Sequence, residues 1–145
     1  MSVIPCTFIN VGVWNIHGLT VKINNYKLNK LEDPEYLNRL NTFEILCLQE
    51  TLCGPTDTHA LSVPGYCIIP IHRTQSANSR FFGGSLLLIK RGIRKGIKII
   101  DTASGDKIWI MLKKDFFNFK NDMFFSFTYA PPATSAYTKT LDCET

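Results

Sequence analysis

Glu50 stands directly after Ile45-Leu46-Cys47-Leu48-Gln49, a run whose first four residues are apolar. Four apolar residues suit a strand better than a helix. A carboxylate at the end of a buried strand is held rigidly yet still reaches solvent, which suits a metal ligand or a general base. The plain alternative is a solvated loop residue. Asn15 occupies a similar place, at the end of a strand expected over residues 7–15. There the plain reading is a turn former, since Asn is favoured at strand ends and in turns. Tyr129 closes an alternating run, residues 123–129, which suits a core aromatic with its hydroxyl bonded.

These residues need elements to position them. In the first strand Ile9, Val11, Val13 and Asn15 share one face by the two-residue period, and Gly18 ends the strand. Residues 20–30 are polar and read as a loop. Asp33-Pro34-Glu35 reads as a helix start: Asp33 to cap, Pro34 for the first turn, Glu35 for the positive end of the dipole. The order is therefore strand, helix, strand. Residues 66–71 form a strand whose Pro70 marks a sheet edge. Residues 85–89, apolar on both faces, form a central strand. Residues 97–100, 108–112 and 123–129 complete the set, with Gly105-Asp106 and Asn121-Asp122 as turns of antiparallel hairpins.

The chain has 145 residues, 45% hydrophobic and 19% charged, which suits a single globular domain with a real core. Five cysteines at 6, 47, 53, 67 and 143 fit neither a zinc spacing nor an even disulfide set, so free thiols in a reducing compartment are expected. No signal peptide and no membrane span are expected, and the location is read as intracellular, including the nucleus, and not secreted. The net charge of +4 is unevenly spread. Between residues 58 and 100 there is no Asp or Glu, but Arg73, Arg80, Lys90, Arg91, Arg94, Lys95 and Lys98 all fall there. A one-signed stretch suits a polyanion such as nucleic acid, although a solvated surface has the same composition.

Trp14-Asn15-Ile16-His17-Gly18-Leu19, then Leu48-Gln49-Glu50-Thr51, then Gly83-Gly84 before an apolar strand, then Thr128-Tyr129-Ala130-Pro131-Pro132, stand in one order. That order resembles the endonuclease/exonuclease/phosphatase superfamily, and within it the apurinic-type endonuclease domain of non-LTR retrotransposons. The resemblance covers residues 8–132. It implies an α/β fold, the N-terminal portion of a four-layer αββα sandwich with mixed, largely antiparallel sheets. It implies phosphodiester hydrolysis with Mg2+ or Mn2+ and a DNA substrate. On this resemblance Glu50 is the metal ligand, Asn15 belongs to the active-site hydrogen-bond network, and Tyr129 reaches toward the scissile phosphate. Arg73, Arg80, Lys90, Arg91, Arg94 and Lys95 become candidates for DNA contact. His17 is a bystander where apurinic endonucleases commonly carry an acid, and His59 and His72 have no role.

The chain departs from the family in one respect. The Gly-Asp-Phe-Asn-like and Ser-Asp-His-like elements that complete the family's site have no counterpart here, so residues 1–145 are expected to be one C-terminally truncated domain, part of a longer polyprotein, and inactive alone. A non-catalytic nucleic-acid-binding remnant, and a phosphoesterase acting on a lipid or small phosphate ester, are the alternatives. No obligate protein partner is evident. A half-fold is also expected to expose apolar sheet residues such as Leu86, Leu88, Phe125 and Phe127.

Overall fold

The computed structural model describes residues 8–52, 61–71, 84–102 and 107–129. Nine strands are found among them: β1 Val11–Asn15, β2 Thr20–Ile23, β3 Tyr26–Asn29, β4 Ile45–Gln49, β5 Tyr66–Ile71, β6 Ser85–Lys90, β7 Ile97–Asp101, β8 Lys107–Leu112 and β9 Met123–Thr128. Helix α1 spans Pro34–Leu40 and helix α2 Lys114–Phe117. The chain is a mixed α/β fold. One sheet has the order β1-β4-β6-β5, a second β7-β8-β9, and β2 pairs with β3 as a hairpin. The β1–β4 pair is parallel and every other pair is antiparallel.

The apolar runs at β4 and β6 are continuous because both faces of this sheet are covered. Alternation divides each strand between two cores. Leu46, Leu48, Leu86 and Leu88 point to one side, where they meet Leu31, Leu40, Val63 and Tyr66. Ile45, Cys47, Leu87 and Ile89 point to the other, against Ile97, Ile108, Ile110, Leu112 and Phe127 of the second sheet. A helical layer, a sheet and a second sheet are thus stacked.

Leu86 and Leu88, expected at an exposed face, are 1% and 0% exposed. The expectation fails because α1 and the 3-10 turn Lys30–Glu32 bring Leu40 and Leu31 over them. Phe127 is likewise buried and Phe125 half-buried, since both face the first sheet. The exposed apolar side chains of the second sheet are instead Ile100, Trp109, Met123 and Phe124.

Helix α1 starts as the sequence indicates, with the Asp33 carboxylate accepting from the Glu35 amide at 2.9 Å and Pro34 at the first turn. Its far end is held from outside. The Tyr66 hydroxyl, on edge strand β5, lies 2.7 Å from the Leu40 carbonyl and 2.5 Å from that of Phe43. Lys90 donates to the Asn41 carbonyl at 3.0 Å. Gly12 of β1 allows Phe43 to press against that strand: a Cβ there would lie 2.5 Å from the ring. These contacts fix α1, which connects the parallel strands β1 and β4 in sequence, against one face of the first sheet.

The stretch expected to be a loop, residues 20–30, is instead mostly the β2–β3 hairpin. Its turn residues Asn24 and Asn25 both have positive φ, +49° and +70°. Two such residues are what a type I′ hairpin turn requires, and Asn tolerates them better than most. Helix α2 and the 3-10 turn Arg91–Gly96 are further elements that periodicity does not signal.

Candidate functional site

Parallel pairing puts the ends of β1 and β4 at one sheet edge, with Asn15 opposite Gln49. The ladder then continues past both strands. The amides of Ile16, Gly18 and Leu19 donate to the carbonyls of Gln49, Glu50 and Thr51 at 3.0, 2.6 and 3.0 Å. The Thr51 amide in turn donates to the Gly84 carbonyl at the entry to β6. Four residues of this edge adopt left-handed backbone: His17 at φ +50°, Gly18 at +93°, Glu50 at +56° and Leu52 at +57°. For residues other than glycine this costs about 1–2 kcal/mol each, and such strain concentrates at sites of function.

Glu50 is the centre of the edge, its side chain 14% exposed. Its Oε1 accepts from the Tyr129 hydroxyl at 2.5 Å. Its Oε2 lies 3.1 Å from His17 Nδ1, on a ring that is 80% exposed. Asn15 reaches the same group indirectly: its Oδ1 accepts from the His17 amide at 3.0 Å, the geometry of a side-chain-closed turn. The two sheets meet here, since Tyr129 directly follows β9 and Gln49 donates from its side-chain amide to the Thr128 carbonyl at 3.2 Å. The structure therefore brings Asn15, Glu50 and Tyr129 to one edge, with His17 linking the first two. His17, read from sequence as a bystander, is in contact with Glu50. No periodicity points to that contact, because it depends on a turn that only Asn15 announces.

The basic residues fall elsewhere. Arg73 and Arg80 lie outside the described residues, as do His59 and His72. Lys90 ends β6 on the side that pairs with Ile45, not Gln49, and its amide donates to the Glu44 carbonyl. Residues 90–95 thus leave the sheet at the edge opposite Glu50, about 16 Å away over roughly five residues of strand. Lys90 and Arg94 bond backbone carbonyls of Asn41 and Ile97, whereas Arg91 and Lys95 are exposed. The cations near the candidate site are others. Lys30 donates to the Ile16 carbonyl. Lys27 lines a cavity of about 240 Å3 beside His17, together with Thr20, Asn29 and Thr51. Both lysines come from the stretch expected to be a loop, and the hairpin is the signal that sequence reading lacked.

The thiol of Cys47 is pushed up to about 12 by burial, against an opposing hydrogen bond from Ser85, so it is no nucleophile at neutral pH. Among the described residues no three His, Cys, Asp or Glu side chains gather. A cation at this edge would therefore have Glu50 as its carboxylate ligand, with water or substrate oxygens completing the shell. That donor set fits Mg2+, which keeps several waters and needs few protein ligands. Among the described residues no helix is long and apolar enough to cross a membrane.

No protein-family model matches this chain, and no curated protein matches it. Among solved structures, it is similar to the crystal structure of AP endonuclease LMAP from Leishmania major, with 19% sequence identity and a TM-score of 0.58. The match covers 88% of this chain and 42% of that one, so the chain spans less than half the length of the protein it resembles. The likeness is one of fold: these residues fold like part of an AP endonuclease.

Proposed function

We propose that Glu50, Asn15 and Tyr129 belong to the active site of a divalent-metal-dependent phosphodiesterase that cuts DNA, of the kind carried by mobile elements. The carrying observation is the 2.5 Å contact between Tyr129 and Glu50, which are 79 residues apart and come from different sheets. A core aromatic has no need to seek out a carboxylate at a strained sheet edge. The fold likeness to an AP endonuclease supports the reaction class, the Leu48-Gln49-Glu50-Thr51 motif favours a nuclease, and the order of the four motifs along the chain is the ground for the mobile-element type.

A bound Mg2+ or Mn2+ would polarise a phosphoryl oxygen and steady the leaving alkoxide. Glu50 would hold that ion. Tyr129 donates a hydrogen bond without adding charge next to a phosphodiester, and on release from Glu50 could donate to a phosphate oxygen. Asn15 holds the turn that places His17. In-line attack also requires an oriented water and further donors for the developing charge. Catalytic groups acting as a unit fail together and not in proportion. Residues 1–145 alone are accordingly proposed to bind DNA and metal without turnover.

The placement of residues 90–95 away from Glu50 favours keeping one second reading, a phosphoesterase acting on a smaller ester. The test is DNA binding by residues 1–145 with and without Mg2+, beside Glu50→Gln, and nicking of supercoiled DNA under the same conditions. Mg2+-enhanced binding lost in Glu50→Gln, with no nicking, is expected. Binding that ignores both Mg2+ and Glu50 would remove DNA cleavage as the ancestry of this site. Metal-dependent nicking would show that this stretch carries enough of the site to work.

A further inference from the structure

We infer that the imidazole of His17 is a second ligand beside Glu50 and biases the site toward borderline later first-row cations such as Co2+ over Mg2+. This rests on the reading of Glu50 as a metal ligand. The contact from His17 Nδ1 to Glu50 Oε2 is 3.1 Å. Two adjacent ligands, each roughly 2.1 Å from a cation and at right angles, lie about 3.0 Å apart. The spacing is that of a chelating pair. Glu50 Oε1 accepts from Tyr129, so Oε2 is the oxygen on the imidazole side.

The pair is held by backbone and not by side-chain packing. His17 and Glu50 are both left-handed. The Asn15 side chain fixes the His17 amide, and the Gly18 amide is bonded to the Glu50 carbonyl. The ring itself is 80% exposed, which leaves the remaining coordination positions open to water and ester oxygens. Without a cation the 3.1 Å contact is a hydrogen bond that Nδ1–H donates to Oε2; a bound cation would take that proton's place, leaving a neutral imidazole with its proton on Nε2 and its Nδ1 lone pair on the metal. Imidazole nitrogen suits the later first-row ions, whereas Mg2+ and, to a lesser degree, Mn2+ prefer oxygen. An oxygen donor at residue 17 would make an all-oxygen pair; the histidine makes a mixed one.

The test is metal binding, read apart from any activity. Calorimetric titration of residues 1–145 with Mg2+, Mn2+ and Co2+ gives the affinity ratios, and Mn2+ broadening of the histidine ring resonances reports proximity. His17→Asn is the key variant, because Asn tolerates the left-handed backbone and so spares the fold. His17→Asp supplies the oxygen donor. The expected result is selective broadening of the signal that His17→Asn removes. The Co2+ to Mg2+ affinity ratio should fall about tenfold or more in His17→Asn, and Mg2+ should bind more tightly in His17→Asp. If Glu50→Gln abolishes binding but His17→Asn leaves the ratio unchanged, this inference falls and the Glu50 reading stands. If Glu50→Gln changes no metal affinity, both fall.

Discussion

Glu50 and Leu52 occupy backbone conformations that a glycine would adopt at little cost, yet neither is glycine. The usual rule that alanine stabilises relative to glycine should therefore reverse at residue 50. Glu50→Gly is expected to be more stable than Glu50→Ala by about 1 kcal/mol, measured by urea unfolding, because alanine keeps the strain and glycine relieves it. An alanine variant as stable as the glycine one would show that the edge is unstrained. At this scale the strand-end position of Glu50 was readable, because a polar residue ending an apolar strand is a visible discontinuity, and Tyr129 closed an alternating run; that the two meet followed only from the order of the motifs. The His17 contact was not, since it arises from a turn closed by a side chain and not from any periodic pattern.

Among the elements, the strongest sequence signals were those with local chemistry. Asp33-Pro34-Glu35 marked α1 because capping is decided within one turn, and Pro70 marked β5 as an edge because a missing N–H cannot join a ladder on both sides. The β2–β3 hairpin escaped because Lys22, Lys27 and the Asn pair dilute its alternation, and Asn-Asn is a weaker turn signal than Asn-Gly. Asn25→Gly should accordingly stabilise the hairpin, by a few tenths to about 1 kcal/mol. A melting temperature that falls instead would place residue 25 outside a type I′ turn. Tyr66 offers a second test. Tyr66→Phe removes the hydroxyl shared by the Leu40 and Phe43 carbonyls, of which Leu40 keeps the Phe43 amide as donor, and should cost about 1–2 kcal/mol.

Among the described residues of the whole molecule, two protonated groups have an ionisation that the fold opposes. Burial pushes the Cys47 thiol up to about 12, and burial followed by the nearby Glu44 carboxylate pushes the Tyr66 hydroxyl up to about 12. Both folded values lie above the unfolded ones, so their contribution is complete below about pH 9 and declines as pH rises toward 12. Melting temperature should fall over that window, and less so in Tyr66→Phe measured against its own neutral-pH value. An equal fall in both proteins would assign the loss to Cys47 or to net charge. DNA affinity belongs at this scale too. Replacing Arg91 and Lys95 by Gln should flatten the log–log salt dependence by about 0.9 for each phosphate no longer neutralised, while leaving the Mg2+ enhancement through Glu50 intact. Disappearance of that enhancement would mean that the basic turn and the Glu50 edge act on the same stretch of DNA. Single-sign charge was legible in sequence, but its placement was not, because strand direction decides which sheet edge a loop leaves from.

The junction of Tyr129 with Glu50 also has a kinetic meaning. Strands β1 and β4 pair across 34 residues, as in Val11 with Ile45, with α1 on the connection that joins them, whereas Tyr129 must return across 79. Closing the longer loop costs about 0.6 kcal/mol more for each doubling of length, and it offers few contacts until β9 has docked. The β1–α1–β4 unit should therefore form first, with the Glu50 edge already bent, and the phenol should arrive last. Native-state hydrogen exchange makes the order visible: the Ile16 and Leu19 amides, bonded to the β4 edge, should exchange only with global opening, while β9 amides exchange through a smaller, earlier one. A site completed by its most distant strand would be switched on by folding itself, so that the carboxylate meets its hydroxyl only in a chain whose two sheets have closed.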